Sequence, residues 1–252
     1  MACYSVDRGG EPNVRSSSLD QWVYVAAPLF AYGIISLGLA AWGWGEGGGG
    51  RNPFATFFLS ISFTLRRITG LAGWAMAGAL TGLMAAGIAA VGVYWDVAWH
   101  IDYGRDKELF TPSHVMILIG LSGLVFAAGI AVLFATLDGQ DEGGRLRLRV
   151  PRSAVVLGAL GVGAVVAFPL DNLWHQAYGV DVTLWSPTHL QLIAGGSLSP
   201  LAIWLMIREG RREEGASPNG LGRGIEVLAF GAILTGLCIV QGEFDFGVPQ
   251  FQ

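Results

Sequence analysis

Long apolar runs separated by short polar segments are the main pattern of this chain. A helix that crosses a membrane needs about 20 consecutive, mostly apolar residues. Six runs without Asp, Glu, Lys or Arg approach or exceed this length: residues 21–45, 68–95, 109–137, 153–170, 182–207 and 227–242. We therefore predict six transmembrane helices, of which the last is the shortest. Residues 54–64 are apolar but too few to cross, and are expected to lie at the interface or to pack on the bundle.

The composition favours the same class. Of 252 residues, 52% are hydrophobic and 13% are charged, whereas soluble domains carry about 25% charged residues. A water-soluble bundle of buried helices is the alternative, and six such runs argue against it. The sequence thus predicts an all-α, polytopic integral membrane protein that contacts the lipid bilayer.

The distribution of arginine predicts the orientation, because cytoplasmic loops are enriched in Lys and Arg. One set of loops holds many arginines, whereas the opposite loops hold only Arg105 and Lys107. Arg8 and Arg15 in the N-terminal tail weaken this asymmetry without reversing it. The arginine-rich set is Arg51, Arg66, Arg67, Arg145, Arg147, Arg149, Arg152, Arg208, Arg211, Arg212 and Arg223. Both termini are therefore expected to face the periplasm or exterior of a bacterial cytoplasmic membrane.

A repeated segment contains all four histidines of the chain. "WDVAWHIDYGRDKELFTPSH" (residues 95–114) and "LDNLWHQAYGVDVTLWSPTH" (residues 170–189) align without a gap, 75 residues apart, with nine of 20 positions identical. Each 75-residue repeat contains two transmembrane helices, so the two copies have the same orientation in the membrane. They are therefore related by an axis along the membrane normal. The histidine segments should face outward.

The repeat divides the chain into five parts. Residues 1–20 form a polar tail, and residues 21–69 contain the first span and the interfacial segment. Copy one covers 70–137, and copy two covers 138–207. Residues 208–252 contain an inner loop, the sixth helix and the start of an eroded or truncated third copy. In that third copy Glu243 would correspond to His175 and is a candidate ligand.

Each copy contains a carboxylate and two imidazoles at helix ends. Asp96 and His100 are four residues apart, so their side chains project from one helical face. Thr111 is a natural N-cap and Pro112 fits the first turn of the next helix, which places His114 in that turn. The hairpin is therefore expected to bring Asp96, His100 and His114 together.

Copy two repeats this arrangement with Asp171, His175, Ser186 and His189. One carboxylate and two histidines suit a transition metal, with copper favoured over iron and zinc because of the outward compartment. Asp106 and Asp181 lie between the histidines and are expected to orient a ring or complete the coordination sphere. Thr111 and Ser186 are expected to support the ligands from just outside that sphere.

Two other interpretations of the repeat remain open. In the first, the residues form a hydrogen-bonded corner, in which Asp holds His and His holds the loop, within a non-catalytic scaffolding subunit. Alternatively, the histidines are axial ligands of haem, although their position near one surface disfavours haems in both leaflets. The basic segment "GRLRLRVPR" (residues 144–152) is expected to contact lipid headgroups and not nucleic acid.

The Asp-x3-His element, followed about a dozen residues later by a second His in a multi-span protein, resembles the metal site in the C subunit of particulate methane and ammonia monooxygenases. The resemblance implies copper-dependent oxidation of small molecules within a complex that contains other membrane subunits. It covers fewer than 20 residues of each copy, and the duplication departs from that pattern. The residues that carry it are Asp96, His100 and His114, and separately Asp171, His175 and His189.

Overall fold

The computed structural model describes residues 53–103, 109–139, 148–179, 185–215 and 217–241. Every regular element in these ranges is a helix, which confirms the predicted fold class. The helices are α1 (Pro53–Thr69), α2 (Gly73–Tyr103), α3 (Pro112–Asp138), α4 (Arg152–Tyr178), α5 (Pro187–Glu214) and α6 (Gly220–Cys238), and a 3-10 turn (Ile239–Gln241) follows α6. The predicted tail (1–20) and first span (21–45) lie outside the described residues.

Five of these helices, α2 to α6, are long and apolar enough to cross a membrane. The chain is therefore an integral membrane protein. Helix α6 begins at Gly220 and therefore starts earlier than the apolar run 227–242 implied. Asn219 caps this start by accepting a hydrogen bond from the backbone nitrogen of Gly222. Glu226 lies inside the helix, where its carboxylate is 3.1 Å from the guanidinium of Arg208 and 3.5 Å from that of Arg211 on α5.

Helices α2 to α5 form a closed group of four. Each packs against the next, and α2 also packs against α5, while α6 lies against α5. Because successive helices alternate in direction, the C-termini of α2 and α4 and the N-termini of α3 and α5 lie at one end, here called the histidine end. The opposite end, which carries Arg66, Arg149 and Arg208, is called the arginine end.

Small residues bring the two helices of each hairpin close together. A Cβ atom on Gly120 of α3 would lie 2.4 Å from the backbone nitrogen of Ala89 on α2. A Cβ atom on Gly195 of α5 would lie 2.7 Å from the Cβ of Ala164 on α4. Both pairs are related by the 75-residue period, so the repeat extends from the polar segment into the membrane-spanning helices. Such small-residue contacts are a common basis of helix association in membranes.

Polar contacts hold the arginine end together. Ser62 of α1 donates a hydrogen bond of 2.8 Å to Asp138 at the end of α3. Helix α1 therefore packs on the bundle, and it continues past the predicted residue 64 to Thr69. Glu209 of α5 accepts hydrogen bonds from the backbone nitrogen (2.9 Å) and the hydroxyl (2.6 Å) of Ser153 in the first turn of α4. The bond to the Ser153 backbone satisfies an N–H group that the start of a helix otherwise leaves unpaired.

We expect Gly120→Leu to lower the free energy of unfolding by about 1–3 kcal/mol, because overpacking forces the backbone of α2 away. Gly129→Leu on the same helix is the matched control, since no atom lies within 4 Å of a Cβ at that position. Unfolding of the purified chain in detergent micelles measures both. Equal stability of the two variants would contradict the close crossing of α2 and α3.

Candidate metal centre

The first site consists of Asp96 and His100 at the end of α2 and His114 in the first turn of α3. The Nε2 atom of His100 lies 3.4 Å from Oδ2 of Asp96, and the Nε2 atom of His114 lies 3.1 Å from Oδ1. The two imidazole centroids are 6.0 Å apart. The carboxylate therefore lies between the two rings and directs one oxygen toward each.

The second site consists of Asp171 and His175 of α4 and His189 of α5. Here both Nε2 atoms lie 3.0 Å from the same oxygen, Oδ2 of Asp171, and the ring centroids are 5.5 Å apart. In each site the candidate ligand atoms lie within 4.8 Å of one another, and no residue belongs to both groups. Each hairpin thus assembles its own group from the residues that the repeat predicted to converge.

The histidines that begin α3 and α5 are positioned by N-caps. The Thr111 side chain accepts a hydrogen bond of 3.4 Å from the backbone nitrogen of His114, and the Ser186 side chain accepts one of 3.2 Å from that of His189. A proline follows each cap at the start of the helix, where its missing N–H costs nothing. Thr111 and Ser186 therefore fix the backbone from which these imidazoles project.

Two hydroxyl groups that the sequence analysis did not single out hold the carboxylates. Ser113 donates a hydrogen bond of 2.7 Å to Oδ1 of Asp96, and Thr188 donates one of 2.5 Å to Oδ1 of Asp171. Each lies between the proline and the histidine, at equivalent positions of the two copies. The retained hydroxyl in "TPSH" and "SPTH" was the signal that could have identified them.

The hydrogen-bond partners of the His114 ring show what must lie between this ring and Asp96. The Nδ1 atom of His114 lies 3.0 Å from the carbonyl oxygen of Leu109. Because a carbonyl only accepts, Nδ1 carries a hydrogen, and a neutral ring then presents a lone pair at Nε2. That lone pair faces a carboxylate oxygen of Asp96, which is also an acceptor. Either a proton, carried by the ring or by the carboxyl group, or a metal ion must lie between them.

In the second site two acceptors also face each other, at His175, which is the equivalent of His100. His175 places Nδ1 at 3.3 Å from the carbonyl oxygen of Gly179 and Nε2 at 3.0 Å from Asp171. Gly179 has a φ of 91°, a conformation that glycine adopts readily. This turn directs the Gly179 carbonyl back to the ring.

The separations fit a bound ion. Metal–nitrogen and metal–oxygen bonds of about 2.0–2.2 Å place neighbouring ligand atoms about 3 Å apart, and the observed Nε2–Oδ separations run from 3.0 to 3.4 Å. The four imidazoles are 20–22% exposed and the two carboxylates 15–19% exposed. Both groups are thus partly exposed at the surface of the protein, so an ion held there would have room for a further ligand.

The surroundings of the two sites differ. The ring of His114 packs edge-on against Phe168 of α4, with centroids 5.7 Å apart. Pro169 lies inside α4, two residues before Asp171. The equivalent residues in copy one are Val93 and Tyr94, so the sites are related but not identical.

Asp106, Asp181 and Glu243 lie outside the described residues, so their roles stay predictions.

Comparisons with protein families, with characterised proteins and with solved structures found no match to this chain.

We expect Ser113→Ala to weaken metal binding at the first site by about 10–100-fold, because groups that orient a ligand contribute this much to metal affinity. Ser113→Thr is the matched control and should bind normally, since copy two carries Thr188 at this position. Titration against a competing chelator measures the affinity. An unchanged dissociation constant for Ser113→Ala would show that the hydroxyl does not position Asp96.

Proposed function

We propose that this chain is a membrane metalloprotein in which each site holds one transition-metal ion. The observation that carries the proposal is the pairing of acceptors: His114 at the first site and His175 at the second direct a ring nitrogen at a carboxylate while the other nitrogen faces a carbonyl. An Nδ1–H bonded to a carbonyl is the usual way in which a metal-binding histidine is fixed in the tautomer that leaves Nε2 for the metal.

Copper is the proposed metal. Imidazole suits copper, iron and zinc, and two histidines with one carboxylate also form the ligand set of non-haem iron oxygenases. The resemblance to the monooxygenase C subunit and the proposed outward compartment favour copper. A bound copper ion would supply one-electron and dioxygen chemistry. The chain itself would fix the imidazole tautomers, hold the carboxylate through Ser113 or Thr188, and leave the ion reachable from water.

The resemblance also supports a role in a larger assembly. We propose that the chain is one subunit of a membrane complex that oxidises small molecules, with other membrane subunits as its partners. Helix α6 offers an extended surface for such a partner or for lipid, because Val227, Leu228, Leu234 and Leu237 are 56–71% exposed.

A hydrogen-bonded corner is the second candidate function. Its supporting observation is the same geometry: doubly protonated His114 and His175 would each donate to an oxygen at both ring nitrogens. The protein would then be a scaffolding subunit in which the repeats stabilise the hairpins.

Haem is less favoured by the geometry, because both imidazoles of a site contact one carboxylate, whereas axial ligands flank a macrocycle.

Metal content separates these functions. We expect about two ions per purified chain, about one after His114→Ala or His189→Ala, and close to none in the double variant, because loss of a direct ligand opens the site. Asp102→Asn is the control, since Asp102 is exposed near the end of α2 outside both groups. If the residues form only a hydrogen-bonded corner, the variants will be less stable than wild type. Wild type and all variants will then contain the same background amount of metal as the double variant. Elemental analysis after dialysis decides the matter.

We further propose that the histidine end faces the periplasm or exterior, as the arginine distribution indicates. In a chain whose Cys3 and Cys238 are replaced by Ser, an impermeant maleimide added to intact cells should label Asp102→Cys. It should spare Leu148→Cys, whose position is 74% exposed at the arginine end, until the cells are permeabilised. The reverse labelling would overturn both the orientation and the compartment.

A further inference from the structure

A groove lies between α5 and α6 at the arginine end, remote from both metal sites. It is an open groove with a volume of about 530 Å³. Trp204 of α5 and Phe230 of α6 form part of its wall, with ring centroids 6.3 Å apart. Arg211, Arg223 and Glu226 also line it.

The polar part of the groove has an excess of positive charge. Glu226 is only 16% exposed and contacts two arginines, Arg208 at 3.1 Å and Arg211 at 3.5 Å. Arg208 also lies over the ring of Trp204, 5.5 Å from its centroid. Arg223 also lines the groove, so two arginines, Arg211 and Arg223, face it together with one carboxylate. Arg211 remains 37% exposed, so its other N–H groups can reach a ligand in the groove.

The apolar part of the groove opens toward the hydrocarbon of the membrane. Val227 is 71% exposed and Phe230 is 53% exposed. Leu234 and Leu237 continue this surface along α6 and are 56% and 61% exposed. Only 6% of the apolar window of this helix is buried inside the protein. The groove therefore joins a cationic end at the membrane surface to an apolar wall that runs into the bilayer.

We propose that this groove binds an anionic phospholipid. The phosphate lies between Arg211 and Arg223, where guanidinium groups make paired, charge-assisted hydrogen bonds to phosphate oxygens. One acyl chain lies along Val227 and Phe230. Basic pockets between membrane helices are suited to such headgroups. A free phosphate ion would satisfy the arginines but leave the apolar wall uncovered, so the combined surface matches a lipid better than a soluble anion.

The test uses the full chain in detergent micelles, titrated with phosphatidylglycerol and observed by native mass spectrometry. We expect wild type to retain one tightly bound lipid and Arg223→Gln to weaken that binding by at least tenfold. Arg212→Gln is the matched control, because Arg212 is an exposed arginine of α5 at the same end and does not line the groove. It should bind nearly as wild type does. Arg223→Lys keeps the charge and should retain most of the affinity.

Further measurements identify the ligand. Phosphatidylcholine, whose phosphate is offset by a cationic headgroup, should bind at least tenfold more weakly than phosphatidylglycerol. Inorganic phosphate at millimolar concentration should not displace the bound lipid. Displacement by inorganic phosphate would overturn the lipid assignment in favour of a free anion. Equal loss of lipid in Arg212→Gln and Arg223→Gln would overturn the groove itself, because it would indicate diffuse surface charge. Unchanged thermal unfolding of the lipid-free variants verifies that each one folds.

Discussion

The interaction on which both sites depend is the contact of one carboxylate with two imidazoles at the end of a helical hairpin. Asp96 and Asp171 each lie between two rings whose Nε2 atoms approach to 3.0–3.4 Å. Where the opposite ring nitrogen donates to a carbonyl, two acceptors face each other, and a proton or a metal ion must join them. The caps and the hydroxyls of Ser113 and Thr188 serve to keep these acceptors in place.

The membrane-spanning helices set the distance across each site. The close contact between Ala89 and Gly120 lies seven residues from Asp96 on one helix and seven residues from Ser113 on the other. Seven residues make about two helical turns, or about 10 Å of rise. The contact thus fixes the separation of the helix ends two turns away. The pair of Ala164 and Gly195 does the same for Asp171 and Thr188.

Much of this architecture could be predicted from the sequence, because a membrane demands long apolar runs and the repeat preserves chemically distinctive residues. The limits of the helices were harder to predict. Glu226 bounds the apolar run 227–242, yet the helix begins earlier, at Gly220, and Glu226 inside it pairs with Arg208 and Arg211 on another helix. The role of Ser113 depends on its distance from Asp96 across the hairpin. Such pairings between helices are not visible in the periodicity of either helix alone.

X-ray absorption spectroscopy of the purified chain loaded with copper tests directly whether each group of one Asp and two His holds an ion. If each hairpin holds its own ion, the spectrum will contain two imidazole ligands per ion, with nitrogen and oxygen neighbours at about 2.0–2.2 Å. It will contain no short metal–metal vector, because no residue is common to the two groups. A copper spectrum without imidazole scattering, or with a short metal–metal vector, would contradict the binding of one ion by each hairpin.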